Sequence, residues 1–109
     1  MRVFVYGTLK SGCSNHHLLA HLPLESTGWL KGWDLFNLGP YPCICKGKGS
    51  VFVESYLISP QDLKRLDRLE GYPDLYDRME VLDGNGNKGW VYFMRNVPNN
   101  AVLMESGVW

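Results

Sequence analysis

The sequence predicts an α+β domain: a mostly antiparallel sheet, closed or strongly curled, with two short helices packed outside it. Three observations carry that expectation. Short runs of β-branched and aromatic residues, bounded by Gly, Pro or Asn, recur along the chain. Asp83-Gly84-Asn85-Gly86-Asn87 separates two of these runs and is a strong hairpin signal. Residues 59–71 carry both a start and a stop signal for a helix. The 109 residues fit one domain, 1–109, large enough for one core without cross-links.

Taken in order, Arg2–Tyr6 is the first strand. Asn15 is placed to cap a short helix over 16–21. Trp29, Trp33 and Phe36 suggest a long bent strand to Leu38, although its alternation is weak. Cys43–Cys45 is a short apolar piece, and 50–58 alternates better. Ser59 then suits a helix N-cap, Pro60 the first helical position, and Asp62 lies three residues after the cap. Gly71 is a natural C-terminal stop. Residues 76–82 and 89–95 are the strands of the hairpin. There is no internal repeat, low-complexity tract or linker.

Composition narrows the function classes. Eleven basic residues balance eleven acidic ones, which argues against nucleic acid or an anionic membrane as a dominant partner. No apolar run approaches the roughly 18 residues of a membrane-crossing helix. The opening run to Tyr6 is short for a secretory signal and reads as strand. Cys13, Cys43 and Cys45 have no disulfide-like spacing, so reduced thiols and a cytoplasmic location are the default.

Glu70 is the informative residue. At about 100° per residue with Leu63 at zero, Leu66 falls near 300°, Leu69 near 240° and Glu70 near 340°. Glu70 therefore lies within the arc that the leucines define as buried, where a carboxylate needs a partner or a task. Desolvation and the free carbonyls of the last helical turn should both raise its pKa. Such a group suits general base chemistry near neutrality. The plainer reading is a structural ion pair with Arg78. Tyr6-Gly7-Thr8-Leu9 follows the first strand with little room to turn. Gly7 permits close approach of a ligand to the backbone, or a positive φ, and successive N–H groups there could hold an anion. The plainer reading is a tight turn. A phosphate loop is excluded, because the GxxxxGK[ST] pattern is missing.

Cys13, His17 and His21 are spaced by four and could share a helical face, but a fourth metal ligand is not evident and Gly12 and Ser14 weaken that helix. Cys13 with a His partner is also conceivable as a nucleophile. Trp29, Trp33, Tyr41 and Trp90 could stack bases, but with little basic interleaving they read as core.

Several motifs then converge. Val5-Tyr6-Gly7-Thr8-Leu9-Lys10, followed later by Leu66-Asp67-Arg68-Leu69-Glu70-Gly71, resembles the γ-glutamylcyclotransferase-like family. Gly12-Cys13-Ser14-Asn15-His16 resembles the G-x-x-N-H segment of its γ-glutamylamine cyclotransferase (AIG2-like) branch, and Tyr41-Pro42 that branch's Y-P piece. Tyr72-Pro73 and Tyr76-Asp77-Arg78 resemble the stretch after the family's catalytic glutamate, and Ser106-Gly107-Val108-Trp109 resembles an S-G-D-W ending. The resemblance covers nearly the whole chain in order. It implies a small β-barrel with flanking helices and cyclisation of a γ-glutamyl group to 5-oxoproline without metal or organic cofactor. It also implies Glu70 as the acid/base residue, and Tyr6, Gly7, Thr8, Leu9, Tyr76 and Arg78 as substrate-binding positions. The implied partner is a small γ-glutamyl compound. A non-catalytic module binding a small acid, or an interaction domain of the same fold, is the rival reading. Two positions depart from the pattern. Val53 stands where the family often has Gly, beside the expected pocket, and Val108 replaces the aspartate of the ending.

Overall fold

The computed structural model describes residues 1–109. Six strands form one sheet: β1 (Arg2–Val5), β2 (Ser26–Asn37), β3 (Pro42–Leu57), β4 (Asp77–Leu82), β5 (Lys88–Phe93) and β6 (Val102–Leu103). Their spatial order is β4-β5-β1-β3-β2-β6. Every pairing is antiparallel except β1 with β5, which is parallel. The sheet is curled into a half-barrel. The long β3 makes the curl: its C-terminal part pairs with β1, through Glu54 to Leu57. Near its start, Ile44 accepts from the Met94 N–H just beyond β5, at 2.9 Å. Beyond the end of β1, then, β3 meets the chain that leaves β5 directly.

The sheet has apolar groups on both faces. Along β1 the side chains alternate. Val3 and Val5 join a core with Leu19, Tyr56, Leu66 and Tyr92, while Phe4 joins a second with Trp33, Ile44, Val53 and Phe93. The helix α1 (Pro60–Glu70) packs on the first core through the fully buried Leu66. Its start is a capping box. Ser59 Oγ accepts from Asp62 N–H, and the Asp62 carboxylate accepts from Ser59 N–H. Its end is the left-handed Gly71, φ 62°.

Two expectations are corrected. The second helix is only a single 3-10 turn, His16–Leu18, so one α-helix flanks the sheet. Residues 43–45 and 50–58 belong to one 16-residue strand. Gly47 and Gly49 do not break it. They make room for the Asp34 side chain, whose Oδ1 accepts from Gly49 N–H at 3.0 Å. The weak alternation along β2 has a cause, a bulge between Lys31 and Trp33 with Gly32 at φ 89°. The hairpin of β4 and β5 turns through 83–87, where the Asp83 carboxylate accepts from Asn85 and Asn87 N–H. No helix is long and apolar enough to cross a membrane.

Candidate active site

A cavity of about 200 Å³ opens where β1 ends, α1 stops and β3 begins. Three pieces of chain make its wall. The first is the β1 end and its loop: Phe4, Val5, Tyr6, Gly7, Thr8 and Leu9, with Asn15 behind. The second is the helix end and following turn: Leu69, Glu70, Leu75 and Tyr76. The third is Tyr41 and Pro42 entering β3, with Tyr92 of β5 completing the wall.

Each piece is held by a specific bond. Past Gly71 the chain folds back, with Leu75 N–H donating to Gly71 C=O and Tyr76 N–H to Glu70 C=O. That turn brings Tyr76 beside Glu70. The Tyr76 hydroxyl donates to Pro42 C=O at 2.6 Å, tying the turn to β3. The Tyr6 hydroxyl donates to Tyr92 C=O at 2.8 Å, tying β1 to β5. The loop is braced from below. Asn15 Nδ2 donates to Thr8 Oγ1, Asn15 N–H to Thr8 C=O, and Ser11 N–H to the buried Glu54 carboxylate. The N–H groups of Gly7, Thr8 and Leu9 have no acceptor within the protein. They are consecutive donors at the cavity wall, the arrangement that suits a carboxylate or oxyanion.

Of the two reasons expected for Gly7, a positive φ is not the one. Instead the Pro42 ring packs so close that a Cβ on Gly7 would stand 2.6 Å from Pro42 Cγ.

Glu70 is the only acidic or basic side chain in the wall. It is partly buried and makes no hydrogen bond or ion pair. Burial pushes its carboxyl up from 4.5 to about 7. The surrounding phenols are driven the other way from use as bases. Burial first, with neighbouring Tyr76 and Glu70, pushes Tyr6 well above its ordinary value. Burial and then Glu70 raise Tyr76, and burial and then Asp67 raise Tyr92. Within the cavity, Glu70 alone changes charge near neutrality.

Tyr6, Gly7, Thr8, Leu9, Glu70 and Tyr76 thus meet at one cavity, and Arg78 does not line it. Arg78 donates to Asp67 at 2.8 Å, and its guanidinium lies 4.3 Å from both the Tyr72 and Trp90 rings. It therefore leaves Glu70 unpaired and locks α1 to the sheet. His21 is drawn to Asp62 and His17 bonds its own turn, so Cys13, His17 and His21 are not gathered. Sequence reasoning passed over Leu69 as core and did not see Leu75 or Tyr92, whose positions depend on the fold. Asn15 and Pro42 carried a signal only through their motifs. Val53 packs in the second core and does not narrow the cavity, and Val108 is exposed away from it.

The family described as gamma-glutamyl cyclotransferase, AIG2-like, matches residues 3–109. The chain belongs to this family. A gamma-glutamylcyclotransferase family protein, YtfP of Escherichia coli K12, is 32% identical over 109 residues, covering 100% of this chain and 96% of its own. A Vibrio cholerae protein with a provisional gamma-glutamylcyclotransferase name is 37% identical over 108 residues, 98% of this chain and 93% of its own. The crystal structure of a mouse AIG2-like protein superposes with a TM-score of 0.87 at 27% identity, covering 99% of this chain and 86% of that one. The family and these names indicate γ-glutamylcyclotransferase-like activity. In this family member the cavity joins an unpaired acid, three free amide donors and fixed phenols in one small space.

Proposed function

We propose that this family member is a cofactor-independent γ-glutamyl cyclotransferase that acts on a γ-glutamyl amide and releases 5-oxoproline and a free amine. The observation that carries the reading is Glu70: an unpaired carboxyl, raised to about 7, that shares the cavity wall with the free amides of the 7–9 loop.

A γ-glutamyl amide brings its own nucleophile. Its α-amine attacks the γ-carbonyl carbon, a new C–N bond closes a five-membered ring, and the bond to the leaving amine breaks. The protein's task is to fold the substrate and move protons, and positioning of this kind is worth roughly 7–11 kcal/mol. Glu70 takes a proton from the α-ammonium and later delivers one to the departing amine. The amides of Gly7, Thr8 and Leu9 receive the substrate carboxylate or the oxyanion that develops on the γ-carbonyl oxygen. Tyr6, Asn15 and Tyr76 are tied to the protein and hold the wall in shape.

The test is release of 5-oxoproline by purified protein, wild type against Glu70→Gln. The variant is expected to keep its circular dichroism spectrum and to lose at least about two orders of magnitude in kcat. Wild-type turnover by Glu70→Gln would remove the mechanism.

A further inference from the structure

The N–H groups of the 7–9 loop are free because their carbonyl partners are held on the other side. Gly7 C=O accepts from Lys10 N–H at 3.0 Å, Thr8 C=O from Asn15 N–H at 2.9 Å, and Leu9 C=O from His16 Nδ1 at 2.9 Å. The peptide bonds of this loop are trans, and in a trans peptide the N–H points opposite to its C=O. Fixing the Gly7 and Thr8 carbonyls therefore turns the Thr8 and Leu9 N–H groups the other way, where neither meets an acceptor in the protein.

His16 is the one side chain among these three donors, and it lies outside the cavity wall. A carbonyl only accepts, so His16 Nδ1 carries a proton in the neutral ring as in the charged one. The ring is held in place. Its backbone is committed at both ends, His16 N–H to Cys13 C=O and Leu19 N–H to His16 C=O. Its centroid lies 5.9 Å from that of the buried Tyr56 ring. The Tyr56 hydroxyl donates to Glu54 Oε1 at 2.9 Å, and the same oxygen accepts from Ser11 N–H at 2.7 Å. One stretch of β3 thus backs both His16 and the loop.

These bonds link into a chain. His16 Nδ1–H donates to Leu9 C=O. The same peptide unit carries Lys10 N–H, which donates to Gly7 C=O. That second peptide unit carries Thr8 N–H, which is left for a ligand. Each bond in such a chain polarises the next, strengthening it by roughly 10–30%. On the reading of the site given above, we infer that His16 is a positioning residue. Through the Leu9 and Gly7 peptide units it orients and strengthens the Thr8 N–H that donates to the anionic oxygen of the substrate. Without the imidazole donor, the buried Leu9 carbonyl has no partner and the loop is free to turn its peptides.

The experiment combines NMR of the ligand-free protein with kinetics of two variants. His16→Leu removes the donor, whereas His16→Asn keeps an N–H at the place of Nδ1. In the wild type, at a pH where the ring is neutral, nitrogen spectra of His16 are expected to show the Nδ1–H tautomer. The Nε2–H tautomer there would overturn the inference, whether or not either variant folds. The Lys10 and Thr8 amide proton signals are expected to move upfield in His16→Leu and to stay near their wild-type positions in His16→Asn. Unmoved signals in a folded His16→Leu would also overturn it. With Nε-(γ-glutamyl)-lysine as substrate, kcat/KM for 5-oxoproline release is expected to fall at least about fivefold in His16→Leu and to lie within about twofold of wild type in His16→Asn. Equal losses in the two variants would reduce His16 to a packing residue. Absence of 5-oxoproline release by the wild type would remove the cyclotransferase reading, while the ring and amide spectra would still decide whether His16 sets the loop.

Discussion

The chemistry of Glu70 follows from what is missing around it. A carboxyl at the end of a helix often pairs with a cation, and this one lines a cavity with no ion pair and no hydrogen bond from another protein group. Burial raises it from 4.5 to about 7, so it carries its charge only above that value. The basic form grows as pH rises, and kcat should climb about tenfold per pH unit below 7 and level off above it. A pH-rate profile for 5-oxoproline release checks this, and a flat profile from pH about 5.5 to 8 would exclude Glu70 as the titrating base. The same shift has a cost in stability. The folded state holds this proton more tightly than the unfolded chain, so stability falls as pH rises from 4.5 to about 7 and the whole loss is present above that window. Glu70→Gln should therefore be more stable than wild type at pH about 8, by about 1–3 kcal/mol, and nearly equal to it at pH about 4. Urea denaturation at the two pH values measures the difference.

Among the secondary elements, the loop after β1 is the most constrained. It packs Gly7 against the Pro42 ring, and Pro42 C=O is the acceptor for the Tyr76 hydroxyl. Gly7→Ala places a Cβ 2.6 Å from Pro42 Cγ and 2.9 Å from Cδ, so the loop and β3 must separate. The separation reaches Tyr76 and the free amides together. The expected outcome is a KM raised several-fold and a stability loss of about 1–3 kcal/mol. Steady-state kinetics and thermal denaturation check both, and unchanged KM and kcat would speak against the cradle. The helix was the most legible element in the sequence, because its caps are local chemistry: Ser59, Asp62 and Gly71 act within a few residues of themselves. Its facing was legible too, with Leu66 buried and Glu70 turned to the cavity. Leu69 differed, 38% exposed although it lies on the same arc, because the last turn overhangs the cavity mouth. The short helix over 16–21 shrank because Leu19 N–H bonds His16 C=O and Ala20 N–H bonds His17 C=O, the tighter 3-10 spacing.

Across the molecule, one ion pair joins the helix to the hairpin that carries Tyr92. Asp67 accepts from Arg78 Nε at 2.8 Å and from the Tyr92 hydroxyl at 2.7 Å, and both charged side chains are largely buried. Removing the acceptor leaves a cation stacked between two rings and a buried phenol without a partner. Asp67→Ala should cost about 2–4 kcal/mol, against about 1 kcal/mol for Tyr92→Phe, which removes only the hydroxyl. Denaturant titration of the two variants checks the ordering, and a loss under about 0.5 kcal/mol for Asp67→Ala would show that the clamp is not needed. Because Glu70 lies one helical turn beyond Asp67, loss of the clamp should also lower turnover.

The order of residues alone determined the main strands and the helix α1, the caps of α1, the hairpin and the inward aim of Glu70. All of these follow from contacts within a few positions or from a simple period. It did not determine the parallel pairing of β1 with β5, the single long β3, the two-residue β6 or the partner of Arg78. Those depend on groups far apart in the chain: Asp34 against Gly47 and Gly49, Met94 against Ile44, Asp67 against Arg78. The cavity belongs to that second class. Its wall is drawn from widely separated parts of the chain, and no local pattern records that Leu75, Pro42 and Tyr92 would face the same space. Burial, which sets the acidity of Glu70, is a property of that enclosure and exists only once the chain has closed around it.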